Sequence, residues 1–276
     1  MRWWFRYHEE LVPRKPQEAL SFGSLIHAGA EAHYRGEDYR AAVGRFIQGA
    51  ETPWEPQTAP FVAATALALL DNYVVQDPVV GLKHEVADVE KRFRVPLRSP
   101  KGRCYSRFIL AGKRDLNTRD PAGNHWRWDH KTGQKPIDPT WIEIDDQMET
   151  YVWADSQQGI PCGGIVYNQI RKPVLKPRKG EKPAEWGARL SADIASRPEF
   201  YYQHELIVKT RRHLARVERD LWNLAHEIGR APIHRNPWSC SLLGCAYRSL
   251  CASDTAAMRS AKYRHEDRHS ELKEDE

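Results

Sequence analysis

A chain of 276 residues with 41% hydrophobic content can bury a full core, which excludes a disordered protein and makes one domain, alone or with a small appended module, the simplest division. No apolar run approaches the roughly eighteen residues that span a bilayer, and the opening MRWWFRYHEEL lacks a signal peptide's apolar core, so the sequence predicts a soluble, cytoplasmic protein with no membrane partner. The 42 Lys and Arg against 37 Asp and Glu leave a net charge of +5, compatible with a basic groove but too mild to establish a nucleic-acid partner on charge alone.

In chain order, residues 1–12 read as a short aromatic helix broken by Pro13 and Pro16. Ser21 can cap a helix that ends near Gly36, and further helices are predicted over 38–49 and 59–76, the last apolar enough to be buried. A strand is expected around Val89 to Val95, with Glu90, Arg92 and Arg94 on one face. Residues 105–111 and 126–132 are rich in aromatic and β-branched side chains, and Asp120-Pro121-Ala122-Gly123-Asn124 between them is turn chemistry, so an antiparallel pair is expected. A helix from Pro139 to Gln158, a strand from Gly163 to Ile170, and a Pro- and Lys-rich surface loop over 173–187 follow. A strand at Tyr201 to Val208 leads to an amphipathic helix from Thr210 to Arg230, with Leu214, Val217, Leu221, Leu224 and Ile228 on one stripe. The charged residues 261–276 predict a disordered tail. This order of elements is an α/β arrangement, divided into a helical segment over 1–80, a core over 81–210 and a C-terminal helix with a cysteine-bearing segment over 211–260.

The chemistry concentrates on the predicted hairpin. Asp115 ends Gly112-Lys113-Arg114-Asp115, and Asp129-His130-Lys131 follows on the partner strand. Alternation puts Arg127, Asp129 and Lys131 on one face and Trp128 and His130 on the other. Two carboxylates on such a hairpin suit Mg²⁺ or Mn²⁺, and a neighbouring ammonium can orient water or offset charge on phosphorus oxygens. Taken alone, an Asp-x-Lys on a strand reads equally as a solvated ion pair. Three further features align with it: His27, on the helix that starts with Phe22-Gly23-Ser24, with Glu31 one turn later; Glu90, on the preceding strand; and Gln147 with Tyr151, four apart on a helix. A lone helical histidine is more often packed than ligating. The ten tryptophans, several next to Arg, could stack on unpaired bases, although most aromatics in a chain of this size build core.

Taken in order, His27, Glu90, Asp115, Asp129-x-Lys131 and Gln147-xxx-Tyr151 resemble the RecB-like branch of the PD-(D/E)XK nuclease superfamily, which includes CRISPR-associated exonucleases and phage relatives. The resemblance implies a restriction-endonuclease-like core, a central mixed β-sheet flanked by helices, with an N-terminal helical segment and a C-terminal cysteine segment added. It implies that His27, Asp115 and Asp129 ligate Mg²⁺ or Mn²⁺, with the backbone carbonyl of His130 as a further ligand. Lys131 would then position or help deprotonate the hydrolytic water, Gln147 and Tyr151 would contact DNA or steady the lysine, and Glu90 would support the metal or touch it. The implied activity is a metal-dependent DNA exonuclease acting on DNA ends or single strands in phage or bacterial recombination, replication or CRISPR-related processing. A non-cleaving nucleic-acid-binding relative and a restriction-type endonuclease are the alternatives; an intact Asp115, Asp129 and Lys131 favours the enzyme. Protein partners are not legible.

Of the five cysteines, Cys104 and Cys162 stand alone, while Cys240, Cys245 and Cys251 crowd together. In a cytosolic chain that crowding favours a metal or cluster over disulfides. Relatives of the resembling family hold a [4Fe–4S] cluster on one N-terminal and three C-terminal cysteines, and Cys240, Cys245 and Cys251 resemble the latter three. The first would fall ahead of Arg2, so the fourth ligand is not evident: a longer chain, a contribution from Cys104 or Cys162, and loss of the cluster all remain open. A zinc site using His213 or His234 is the other metal expectation.

Overall fold

Val89, Phe93, Val95 and Leu97 give one strand an apolar side, and Asp120 hydrogen-bonds locally to form the turn between the two strands that follow it. The computed structural model describes residues 4–15, 18–49, 53–99, 104–230 and 245–267. After a short π-helical turn at Trp4–His8, the elements are β1 (Leu11–Pro13), α1 (Glu18–Tyr34), α2 (Tyr39–Gln48), α3 (Ala59–Val75), α4 (Pro78–Gly81), β2 (Glu85–Arg98), β3 (Cys104–Arg119) and β4 (His125–Gly133). They continue with α5 (Pro139–Glu143), α6 (Asp146–Gln157), β5 (Cys162–Arg171), α7 (Pro183–Ser196), α8 (Pro198–Tyr201), β6 (Tyr202–Ile207), α9 (Arg211–Arg230), α10 (Arg248–Ala252), α11 (Ala256–Lys262) and β7 (Tyr263–His265). Two units result, one of Met1–Gln17 with Leu224–Glu276 and one of Glu18–Asn223.

In the larger unit the sheet order is β2-β3-β4-β5-β6. All neighbours are antiparallel except β4 and β5, which run parallel. This is the expected mixed sheet flanked by helices. On one face α1, α3 and α7 build the main core, with Leu25, Ile26, Leu69, Leu70, Trp186 and Leu190 buried; each buried leucine contributes roughly 1.5–3 kcal/mol. The other face carries α6, through buried Met148, Val152 and Trp153. The expectation of no long apolar run needs a correction: Ala59–Gly81 is 23 residues long and apolar enough to cross a membrane by length and composition. Here Leu69, Leu70 and Tyr73 of that stretch are buried in the protein core.

Several elements differ from expectation for local reasons. The turn at 120–124 forms as predicted, because Asp120 Oδ1 accepts from the Ala122 and Asn124 amides at 3.0 and 2.8 Å. Yet β3 runs far past residue 111, so Asp115 lies well inside a strand. The expected helix 139–158 is two helices, α5 and α6, because Asp145 leaves the helical conformation to accept from Gln147 N and cap α6. The loop expected over 173–187 ends early: Pro183 suits a first helical position, and Glu185 accepts from the Lys182 amide at 3.0 Å, starting α7. On α9, Val217 and Ala225 are buried but Leu224 and Ile228 are about half exposed, so the stripe is not uniformly covered.

The smaller unit pairs β1 with β7 antiparallel, Val12 opposite Arg264. Phe5, Leu11, Tyr247, Leu250 and Tyr263 form its buried cluster. Tyr247 stacks on Phe5 and Tyr263 with centroids 5.7 and 5.6 Å away, and its hydroxyl donates to the Leu11 carbonyl at 2.6 Å. Tyr263 thus draws into a strand residues that charge alone assigned to a disordered tail; residues 268–276 lie outside those described.

Candidate metal and catalytic centre

The hairpin stops pairing where its chemistry begins. β3 and β4 are in register as far as Leu116 opposite Trp128. One step further, the Asp115 carboxylate turns into the gap and accepts from the His130 backbone N–H at 2.8 Å. On the other side of β3, Val89 faces Leu116 and Lys91 faces Arg114, which sets Glu90 opposite Asp115. Glu90 has φ 54°, a left-handed conformation that costs a non-glycine residue on the order of 1–3 kcal/mol and clusters at functional sites. Helix α1 completes the group: His27 Nδ1 is 3.5 Å from Asp115 Oδ2.

One ligand atom each from His27, Glu90 and Asp115 lies within 4.8 Å of the others. An imidazole with two carboxylates is a donor set for a divalent cation. Electrostatics point the same way. Burial pushes the Glu90 carboxyl up, and Asp115 and Glu31 push it further against the pull of Lys113, with which Glu90 forms an ion pair. A bound cation would relieve that crowding.

Asp129 sits next to this group with a different partner. It is 1% exposed, and Lys131 Nζ is 2.7 Å from its Oδ2. Burial raises its carboxyl to about 7, with Asp115 and Asp145 adding to the rise and Lys131 opposing it. Lys131 also donates to Gln147 Oε1 at 2.8 Å, Gln147 Nε2 donates to Tyr151 Oη at 2.7 Å, and Tyr151 donates to the Lys113 carbonyl at 3.1 Å. The predicted pair on α6 therefore fixes the lysine and closes back onto the strand that holds Asp115. The tightest ligand group contains Glu90, while Asp129 is engaged by Lys131.

The His130 ring points to the opposite face. It is buried, stacked on Tyr34 with centroids 5.8 Å apart, and its Nδ1 accepts from Asn168 Nδ2 at 2.8 Å. Burial lowers its pKa to about 4, so the ring is a neutral packing element; it meets the His27 ring edge-on at 6.2 Å, while its backbone N–H holds Asp115. Behind it, Asn168 donates to Tyr73 at 2.9 Å, Tyr73 and Tyr34 share a 2.8 Å hydrogen bond, and Tyr34 donates to Asp77 at 3.0 Å.

Other residues escaped sequence reasoning. Asp155 on α6 is buried between Arg114 and Arg127, 2.5 Å from each, tying β3 and β4 to the helix that carries Gln147 and Tyr151. Tyr167 stands opposite Asp129 in the parallel β4–β5 register. No local pattern signals either, because the partners are far apart in sequence. A groove of about 400 Å³ lined by Glu31, Arg35, Arg45 and Phe46 opens between α1 and α2, and Glu31 is one of the residues whose charge reaches Glu90.

Of the clustered cysteines, Cys240 lies outside the described residues, as does His234. Cys245 and Cys251 pack against the aromatic cluster of the smaller unit. The chain's segments in that unit contain three cysteines, one short of a four-thiolate set. Burial, then Asp155, pushes the Cys162 thiol up to about 12, and its Sγ donates to the Gly164 carbonyl at 3.4 Å, unlike a thiolate ligand. His213 Nδ1 accepts from the Thr210 amide at the start of α9. The side chain of Cys104 is outside those described.

A mixed sheet whose frayed hairpin gathers carboxylates, an imidazole and an Asp-x-Lys offers the donor set that metal-assisted phosphodiester hydrolysis would use. The family model of the PD-(D/E)XK nuclease superfamily matches residues 1–252, and the chain belongs to that superfamily. It is accordingly a hydrolase of the nuclease type, with nucleic acid as substrate and the restriction-endonuclease-like fold, in a superfamily whose members use divalent metal ions. No curated protein matches the sequence. Among solved structures, the crystal structure of SSO0001 is similar at a TM-score of 0.35 and 13% identity, over 88% of this chain and 90% of that one.

Proposed function

We propose that this protein is a Mg²⁺- or Mn²⁺-dependent DNA exonuclease of the RecB-like branch, acting in the cytoplasm on DNA ends or single strands during recombination, replication or CRISPR-related processing. The observation that carries this reading is the convergence of His27, Glu90 and Asp115 beside an Asp129–Lys131 pair held by Gln147. His27, Glu90 and Asp115 would hold the cation, with Asp129 and the His130 carbonyl beside them. A bound divalent cation supplies charge neutralisation at the phosphate and lowers the pKa of water. Lys131 would donate from Nζ to the attacking water or to a phosphate oxygen, and its bonds to Asp129 and Gln147 restrict the rotamer freedom that would blunt that alignment. The Gln147–Tyr151 bond supports the RecB-like assignment, since it joins the accessory pair to the lysine. Cys240, Cys245 and Cys251 are proposed to furnish three thiolates to an iron–sulfur cluster whose fourth ligand is unassigned; anaerobically purified, fully active protein without iron or the brown charge-transfer absorbance would remove that component.

The decisive assay uses end-labelled linear and closed circular DNA with Mg²⁺, Mn²⁺ or chelator. Metal-dependent shortening of linear DNA alone, lost in Asp115→Ala and Lys131→Ala, is expected. Cleavage of the circle would mean an endonuclease, and binding without cleavage under every metal would mean a silent relative.

A further inference from the structure

The described tryptophans differ once folded: Trp54, Trp128, Trp153 and Trp186 are buried, Trp4, Trp126 and Trp222 are partly covered, and Trp141 is 67% exposed. Among the described residues it is the one aromatic in the set of large hydrophobic side chains left open to solvent, and no ring contact or hydrogen bond ties its indole to them. The turn that carries it is nevertheless firmly held. Asp138 caps α5, Ile142 is buried beneath it, the Ile137 amide donates to Gln203 Oε1 at 3.2 Å, and Lys209 Nζ donates to the Glu143 carbonyl at 2.6 Å. These bonds lay α5 along β6. Gln203 stands opposite Gln169, and Gln169 opposite Lys131, so α5 lies on the sheet face from which Lys131 and Asp129 project.

Tyr167 shares that face. Its strand position is directly opposite Asp129, one interstrand spacing of about 4.8 Å away, and its hydroxyl has no hydrogen-bond partner among the described residues. Trp141 comes four residues before Asp145, which caps the helix whose Gln147 grips Lys131. A rigidly mounted open indole therefore lies on the same side of the sheet as the uncommitted Tyr167 hydroxyl and the Asp129–Lys131 pair, and Lys131 and Lys135 provide positive charge on the connecting strand and loop.

We propose that Trp141 and Tyr167 form a nucleotide subsite beside the catalytic pair, the indole stacking on an unpaired DNA base and the Tyr167 hydroxyl donating to the sugar–phosphate next to it. This rests on the nuclease reading and adds its substrate form: a base reaches the indole only when it is out of the duplex, so single strands and frayed ends are favoured. Stacking is the chemistry that uses an exposed indole without reading sequence.

The test is equilibrium binding by fluorescence anisotropy of a labelled short oligothymidylate and of a blunt duplex, with chelator present so that nothing is cleaved. Trp141→Ala is expected to weaken oligothymidylate binding by roughly 5- to 150-fold, Trp141→Phe to restore most of it, and duplex binding to stay unchanged. Tyr167→Phe should weaken the single strand by about 2- to 12-fold. Val174→Ala, at another exposed apolar position, should change nothing. An unaltered affinity in Trp141→Ala, an equal loss on the duplex, or no binding of oligothymidylate by the wild-type chain would overturn the subsite. Cleavage of linear DNA in a parallel assay keeps the two readings apart: cleavage with unaltered affinity sinks the subsite alone, and affinity loss without any cleavage sinks the nuclease reading alone.

Discussion

Replacing Asp155 with alanine leaves the guanidinium groups of Arg114 and Arg127 buried without their shared anion. Asp155 is 0% exposed and both arginines 3%, and each arginine lies 2.5 Å from a different carboxylate oxygen. Burial already lowers the Arg114 pKa, with Asp155 opposing and Arg127 adding to the fall, so removing the carboxylate takes away the strongest influence that holds this charge inside. Breaking a buried pair from one side costs about 3–5 kcal/mol, a large share of the 5–15 kcal/mol typical of a whole domain. The contact of Arg114 with the Phe93 ring, 4.5 Å from its centroid, survives and places the loss toward the lower end. At roughly 2–4 °C per kcal/mol for a unit of this size, the melting midpoint should fall by about 6–20 °C, and by less in Asp155→Asn, which keeps the volume and an acceptor. Calorimetry with a denaturant titration measures both. Cys162 supplies a second readout: Asp155 helps keep its thiol protonated and Arg127 opposes, so the variant should react faster with a thiol reagent well below its midpoint. A destabilisation under about 1 kcal/mol in the alanine variant would refute the claim that this carboxylate neutralises the hairpin's buried charge.

Two further outcomes follow from local geometry. In Gly164→Ala the new Cβ would collide with the Ile207 carbonyl oxygen of β6 and approach the Trp126 ring to 2.9 Å; backbone cannot swing aside as a side chain can, so a loss of roughly 1–3 kcal/mol is expected, and a denaturation midpoint equal to wild type would contradict it. For Asp77, burial raises the carboxyl, but hydrogen bonds from His33, the Val79 amide and Tyr34 more than offset it, leaving it below its ordinary value. A depressed carboxyl contributes stability that is present above the ordinary Asp range and lost as pH falls through the lower folded value. Stability should therefore decline below about pH 4 in wild type and more shallowly in Asp77→Asn, and identical acid limbs would disprove the assignment.

The elements that sequence reading placed well are those whose stop signals are local. Asp38 capping α2, Asp120 folding the hairpin turn, and the four-residue step from Gln147 to Tyr151 all act within one turn of chain. The elements it misplaced hinge on competition between neighbours. Asp145 can continue a helix or cap one, Pro183 can extend a loop or open α7, and only the packing of Trp186 and Leu190 into the core selects the helix. Tyr263 is likewise one aromatic in a charged run until Tyr247 stacks on it.

By itself the sequence determined which side chains share a face, because strand and helix periods are set by backbone sterics: Asp129 with Lys131, His130 away from them, Gln147 with Tyr151. Only the tertiary structure decided which faces meet. His27, Glu90 and Asp115 come from a helix and two strands, and their approach depends on the β2–β3 register, the left-handed turn at Glu90 and the end of pairing at Leu116. The same holds for exposure: ten tryptophans look alike in sequence, and burial, a sum over contacts from distant segments, is what leaves Trp141 open to solvent.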